Sequence, residues 1–261
     1  MNIVITGANG FIGNMLTQHL ASCNHKIYAL VHHLYKAPPK NITYRAFSLE
    51  SFSTDIIPND TDIIIHTAIS NSNNINIDIK AAERLYKIAM RKKLKQFIYI
   101  SKLWADENSI SSRAIKNYAV EKVLNNEKVL TLKTAAIISN GGVKNYAINI
   151  IKNNKVIPLA NSLNKDFQFI ETTEFTDIID LAIKNSSYGI KKIANENAIS
   201  KKEFYKNIAI ELNKKPIFIN TTFPNIYSAL NAFSKMGIDY EIDIETLKEF
   251  EEMKFVKCSI I

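Results

Sequence analysis

The chain has 261 residues, 46% of them hydrophobic and 22% charged, which is the balance of a globular protein with room for one large α/β domain or a nucleotide domain with a small lobe. Its 33 Lys and Arg against 25 Asp and Glu give a net charge of +8, but the basic residues are spread along helices among acids. The densest cluster, Arg91-Lys92-Lys93 with Lys95, falls at a predicted helix C-terminus, where cations suit the helix dipole; this argues against a nucleic-acid surface. No run of 18 apolar residues suggests a membrane span, and an apolar strand starts at the first residues with no charged leader before it, so a cytoplasmic protein is expected. Cys23 and Cys258 match neither a disulfide framework nor a metal-ligand spacing. No metal site is expected, and His19 and His25 read as structural or exposed.

In chain order, predicted strands occupy residues 2–6, 26–31, 43–47, 62–66, 96–101 and 129–134. Predicted helices occupy 11–22, 78–92, 112–125 and 143–153. Short β-branched runs alternating with amphipathic helices indicate βαβ units and a Rossmann-type doubly wound parallel sheet. The run Asp62-Ile-Ile-Ile-His66 is apolar on both faces of its pleat, as a buried parallel strand must be. Beyond residue 140 the pattern loosens. A strand at 167–171, a helix at 174–184 and a strand at 191–194 are followed by Ser200 with Glu203 three residues on, a capping box opening a helix to about residue 213. A strand at 216–220 and helices near 223–236 and 245–253 complete the pattern. The expected division is an NAD(P)-binding domain of residues 1–140 with 167–195, and a small C-terminal α/β substrate lobe of residues 141–166 with 196–261.

The strongest chemical signal is Thr6-Gly7-Ala8-Asn9-Gly10-Phe11-Ile12-Gly13, which follows a strand and opens a helix. The first glycine permits a sharp turn, the second admits a pyrophosphate to the backbone, and the third lets helix and strand pack closely. Free N–H groups at the helix start then face the phosphates. The second signal is Tyr118-Ala-Val-Glu-Lys122. Tyrosine and lysine at i and i+4 share a helix face, where an ammonium favours the phenolate and suits the tyrosine to acid–base exchange. An amphipathic helix with a surface tyrosine is the plainer alternative.

The octet resembles the extended and atypical short-chain dehydrogenase/reductase superfamily, in its NAD-dependent epimerase/dehydratase (nucleotide-sugar) branch. The likeness continues through Asp62–Ala68, Lys95–Ser101, Lys133–Ser139, Phe169–Ile179 and Gly189–Asn213, roughly residues 1–215. It implies cofactor contacts at Gly7, Asn9, Gly10, Phe11, Ile12, Gly13, His32, His66, Thr67, Ala68 and Lys122, and catalytic roles for Tyr118, Lys122 and Ser101. It also implies an NAD(P)-dependent epimerase or 4-keto reductase acting on a nucleotide-linked sugar, with dehydration least suited to Lys102-Leu-Trp-Ala-Asp106. A homodimer through the helices at 78–92 and 112–125 is implied as well.

The departures are specific. Such proteins carry two hydroxyl residues at the end of the fifth strand; here the pair is Ser101-Lys102. Either Ser101 substitutes, or Lys102 polarises the reacting oxygen by charge, or activity is reduced or lost. Because strand side chains alternate, the two residues are not expected to face the same way. Asp78 stands where a helix-opening Asn is common, Ser48 where an Asp near the adenine is frequent, and Lys133-Thr134 where Arg-Pro is usual. After the second strand, Val31-His32-His33-Leu34-Tyr35-Lys36 offers no carboxylate for a ribose hydroxyl, and His32, His33 and Lys36 suit a 2′-phosphate, which favours NADP over NAD. The Asn-rich stretch 70–76 reads as a polar loop beside the cofactor. The alternative function is an NmrA-like NAD(P)-binding sensor without catalysis, or an atypical quinone or flavin reductase.

Overall fold

A computed structural model describes residues 1–34, 39–139, 142–160, 166–235 and 244–258. Seven strands form one sheet in which every pairing is parallel: β1 (Asn2–Thr6), β2 (Lys26–Val31), β3 (Ile42–Ala46), β4 (Ile63–His66), β5 (Gln96–Lys102), β6 (Val129–Thr134) and β10 (Gly189–Ile193). Their order is β10-β6-β5-β4-β1-β2-β3. The chain reverses its direction of winding between β1 and β4, which opens a crevice at the carboxyl ends of these two strands.

Alternation along the strands builds two apolar layers. Ile3, Ile5, Ile65, Ile98 and Leu132 face one way, against Leu16 and Leu20 of α1 (Phe11–Ser22) and Phe175 and Ile179 of α5 (Thr172–Lys184). Val4, Ile64, Phe97 and Tyr99 face the other way, against Leu85 and Ile88 of α2 (Ile75–Arg91), Val120 of α3 (Ser112–Val123) and Leu124 at its C-cap. Each fully buried aliphatic side chain is worth about 1.5–3 kcal/mol, so a sheet covered on both faces is rigid where its strands end.

A third apolar cluster draws together Leu103, Trp104 and Ala114 with α4 (Gly142–Asn153), α6 (Lys201–Glu211), α7 (Phe223–Lys235) and α8 (Ile244–Glu252). Two small sheets belong to this region. One runs β11-β9-β7, from Ala198–Ser200, Asp166–Glu171 and Ala136–Ile138; the other pairs β8 (Val156–Ala160) with β12 (Ile217–Thr221) in parallel. Ser200 caps α6 as its sequence promised, its hydroxyl accepting from the Glu203 amide at 3.1 Å.

The sequence-based boundaries of β1, β2, β6 and α1 are reproduced. The helix expected from residue 78 instead begins at Ile75, because the Asn74 side chain accepts from the Asn76 amide at 3.1 Å and caps it three residues earlier. The Asn-rich loop is correspondingly short. Strands β7, β8 and β11 have no counterpart among the predicted elements. No helix among the described residues is long and apolar enough to cross a membrane.

Candidate functional site

The glycine turn is held from two sides. Gly7 takes a φ of +67°, which costs a side-chain-bearing residue strain that glycine escapes, and a Cβ there would come within 2.9 Å of the Ala68 Cα. At Gly13 a Cβ would lie 2.1 Å from the Gly7 carbonyl oxygen, so the first turn of α1 sits directly on the end of β1. Gly10 stands at the N-cap with no side-chain cap, and the first turn holds no acidic residue. The opening amides of α1 therefore face outward with the positive end of the helix dipole unneutralised, the arrangement that receives a phosphate. Asn9 lies at the rim and donates to the His33 carbonyl at 3.4 Å. Phe11 is exposed and Ile12 packs against the sheet core.

Thr6 explains why His66, Thr67 and Ala68 lie beside this turn. Its hydroxyl oxygen accepts from the Thr67 and Ala68 amides at 3.2 and 3.3 Å. With both lone pairs engaged, its own proton goes to His66 Nδ1 at 2.7 Å. The ring is thereby fixed with its proton on Nε2, an atom without a hydrogen-bond partner among the described residues. Burial holds the imidazole neutral and lowers its pKa to about 4. At 1% exposure the His66 side chain packs against Tyr99 inside the sheet and braces the turn through Thr6. Thr67 and Ala68 remain half-buried against Gly7 and Gly13.

His32 and His33 follow β2 on the surface, with His32 Nδ1 3.2 Å from His33 Nε2. Lys36, the third cation expected there, lies outside the described residues.

Tyr118 and Lys122 are brought together on α3. The Lys122 Nζ stands over the Tyr118 ring, 4.9 Å from its centre, and the neighbouring phenol raises the lysine pKa above its usual value. Tyr118 is half-buried against the third apolar cluster, while Lys122 is exposed.

Ser101 lies near the end of β5. It is buried and gives its hydroxyl proton to Glu121, one turn of α3 from Tyr118. Glu121 also accepts from Lys133 at 2.6 and 2.8 Å, and Lys133 donates in addition to the Ala105 carbonyl at 2.7 Å. Burial pushes the Glu121 carboxyl up from its ordinary range, against the pull of Lys133 and Ser101. In this structure the Ser101 hydroxyl donates to a buried ion pair. The replacement of Arg-Pro by Lys133-Thr134 has its counterpart here, since the lysine and Glu121 form one unit. No sequence spacing ties Glu121 to Lys133, so the pair carried no signal before the fold was known.

Lys102 points to a separate partner, as strand alternation requires. It lies over the Trp104 ring at 5.1 Å and pairs with Glu249 of α8 at 3.0 Å, with Arg113 Nη1 a further 3.9 Å from the same carboxylate oxygen. Two more acids of α8 serve the start of α3. Glu252 accepts from the Ile110 and Ser111 amides and, at 2.5 Å, from the Ser111 hydroxyl, while Glu245 accepts from the Ser112 amide at 2.6 Å. No acid lies in the first turn of α3 itself; α8 supplies the negative charge that its N-terminus favours. Behind them, Asp78 is buried and holds the Ser70 amide and hydroxyl at 2.7 and 2.6 Å, and Lys116 donates to the Ser70 carbonyl at 2.7 Å.

The model of the "NAD dependent epimerase/dehydratase family" matches residues 3–195. No curated protein matches the sequence significantly. Among solved structures, the fold is similar to that of a UDP-N-acetylglucosamine 4-epimerase from Bacillus cereus, at 15% identity over 97% of this chain and 98% of that one, TM-score 0.67. It is similar to the Bordetella bronchiseptica enzyme WbmG in complex with NAD, at 14% identity over 96% and 92%, TM-score 0.68. It is also similar to a Bacillus anthracis dTDP-4-dehydrorhamnose reductase in complex with NADP, at 18% identity over 85% of each chain, TM-score 0.67.

Proposed function

The chain belongs to the NAD-dependent epimerase/dehydratase family, and from that premise we propose that it is an NAD(P)-dependent epimerase or 4-keto reductase of nucleotide-linked sugars, with Tyr118 as its acid–base group. The observation that carries this reading is the contact of Lys122 with Tyr118 on α3. The uncapped α1 terminus and the Gly7–Gly13 cradle fit a dinucleotide pyrophosphate. The names of the similar structures, an epimerase and a reductase of sugar nucleotides, support the substrate class.

The amides of Phe11, Ile12 and Gly13 would hold the pyrophosphate. His32 and His33 would face the adenosine ribose, which favours NADP. A nicotinamide cofactor bound there supplies hydride exchange at a sugar carbon. Tyr118 gives or takes the proton at the oxygen on that carbon through its phenolic Oη, and Lys122 orients the phenol and holds positive charge beside it. Lys102, paired with Glu249 and shared with Trp104, would border the sugar from the lobe side.

The test is calorimetry with NADP and NAD, followed by turnover of UDP- and dTDP-linked 4-keto or 4-hydroxy sugars by the wild-type protein and Tyr118→Phe. Dinucleotide binding with wild-type turnover that the substitution removes supports the reading; turnover unchanged in Tyr118→Phe overturns it. A second reading, a dinucleotide-binding module without turnover, is favoured by the commitment of Ser101 to Glu121 and of Lys102 to Glu249. It is the reading left if dinucleotide binds and no sugar nucleotide reacts.

A further inference from the structure

At the far end of α1 from the glycine turn, three side chains of different chemistry converge. His19 and Cys23 are one helical turn apart, so they project from the same face. Asp180, 161 residues further along the chain, reaches the same spot from α5. His19 Nε2 is 2.8 Å from Asp180 Oδ2 and 3.9 Å from Cys23 Sγ, and the three ligand atoms all lie within 4.8 Å of one another. We propose that His19, Cys23 and Asp180 form a surface binding site for a zinc-class divalent cation.

Both the spacing and the donor set suit such an ion. Tetrahedral zinc with one thiolate, one imidazole and one carboxylate spaces these atoms about 3.4–3.6 Å apart, given Zn–S of about 2.3 Å and Zn–N and Zn–O of about 2.0–2.2 Å. The observed 2.8 and 3.9 Å bracket that spacing, so rotation of exposed or half-exposed side chains is enough to close the site.

The backbone beneath is already fixed. Asn24 takes a φ of +63°, and the amides of Asn24 and His25 donate to the Ala21 and Leu20 carbonyls at 3.1 Å each. This is the Schellman closure of a helix, and it pins Cys23 at the C-cap. Leu16 and Leu20 of α1 and Ile179 and Ile183 of α5 share one buried cluster, which sets the spacing of the two helices. His25 turns its Nδ1 to the N-terminal ammonium at 3.1 Å, and in the proposed site a water would complete the fourth coordination position. A thiolate with an imidazole selects zinc over magnesium or calcium, which prefer oxygen alone. Binding releases the thiol proton and involves no change of oxidation state. With a rise of about 1.5 Å per residue, the site lies about 18 Å along α1 from its start, and the proposed dinucleotide chemistry does not use it.

The experiment is a Co²⁺ titration of the reduced, chelator-stripped full-length chain, followed by Zn²⁺ competition. We expect one equivalent bound, with a near-ultraviolet thiolate-to-cobalt band that Cys23→Ser removes and Cys258→Ser retains. His19→Ala and Asp180→Asn should each weaken Zn²⁺ more than about tenfold, a loss already common for residues that merely orient metal ligands. NADP and NAD calorimetry should be unchanged in all four variants. A thiolate band missing from the wild type, a band that follows Cys258, or Zn²⁺ affinity unmoved by His19→Ala or Asp180→Asn would each overturn the site and leave His19 and Asp180 as an ordinary ion pair.

Discussion

Lys102 on β5 and Glu249 on α8 meet at 3.0 Å, so the position where the family resemblance implies a second hydroxyl here carries a cation paired from the C-terminal region. The glutamate is nearly buried, at 8% side-chain exposure, and the lysine only partly so, at 25%. Removing one partner leaves a charge in a poorly hydrated place. Glu249→Gln should lower stability by about 1–2 kcal/mol, less than for a fully buried pair because water still reaches Lys102. Urea denaturation of the variant beside Lys102→Met/Glu249→Leu checks this, and the double variant should recover most of the loss.

Tyr118→Phe removes one oxygen and little packing. If Tyr118 exchanges the proton, kcat should fall about 10²–10⁴-fold, while the dissociation constant for the dinucleotide stays within a few-fold. Steady-state kinetics with calorimetry on the same preparation reads both.

Glu121 and Lys133 are both buried and pair at 2.6 Å. Glu121→Gln should cost about 3–5 kcal/mol, because it strands the Lys133 ammonium in the interior. A cycle of Glu121→Gln, Lys133→Met and the double substitution should show strong coupling between the two sites. Additive losses in thermal or urea unfolding would show that the two charges do not depend on each other.

His66 makes stability depend on acidity. Its pKa falls from 6.5 to about 4 in the folded protein, so between these values the unfolded chain binds the extra proton. Stability is then full above about pH 6.5 and is lost as pH falls toward 4, by about 2–3 kcal/mol between pH 7.5 and 4.5. Denaturant titrations across this range check the sign, and His66→Asn should flatten the slope.

The glycine turn separates two substitutions by distance. A methyl at Gly13 meets the Gly7 carbonyl oxygen at 2.1 Å, whereas at Gly10 the same atom is 3.1 Å away. Gly13→Ala should therefore destabilise the protein by about 1–3 kcal/mol and abolish the calorimetric signal with NADP and NAD. Gly10→Ala should retain the fold and lose affinity only.

Much of this was legible in the sequence because it is local. The strand, turn and helix from Asn2 to Ser22 carry their own periodicity and glycines, and Tyr118 and Lys122 declare their shared face by spacing alone. Short strands such as Ala136–Ile138 and Ala198–Ser200 are too brief for alternation to register, and their pairing depends on β9. The commitment of Ser101 was hidden for another reason: its partner Glu121 looks like an ordinary surface acid of an amphipathic helix until β6 brings Lys133 beneath it. Lys102 with Glu249 and His19 with Asp180 join residues more than 140 positions apart, and no periodicity encodes such pairs.

The acids of α8 also set an order of events for a growing polypeptide. The segment that makes α3 is synthesised more than a hundred residues before Glu245, Glu249 and Glu252 are added, and domains formed early in synthesis begin folding before later segments emerge. The glycine turn can thus shape itself during translation, whereas the helix bearing Tyr118 gains its anionic lid only once those glutamates have been added. A nascent chain stalled between the two would have its glycine turn in place before its tyrosine helix had been clamped.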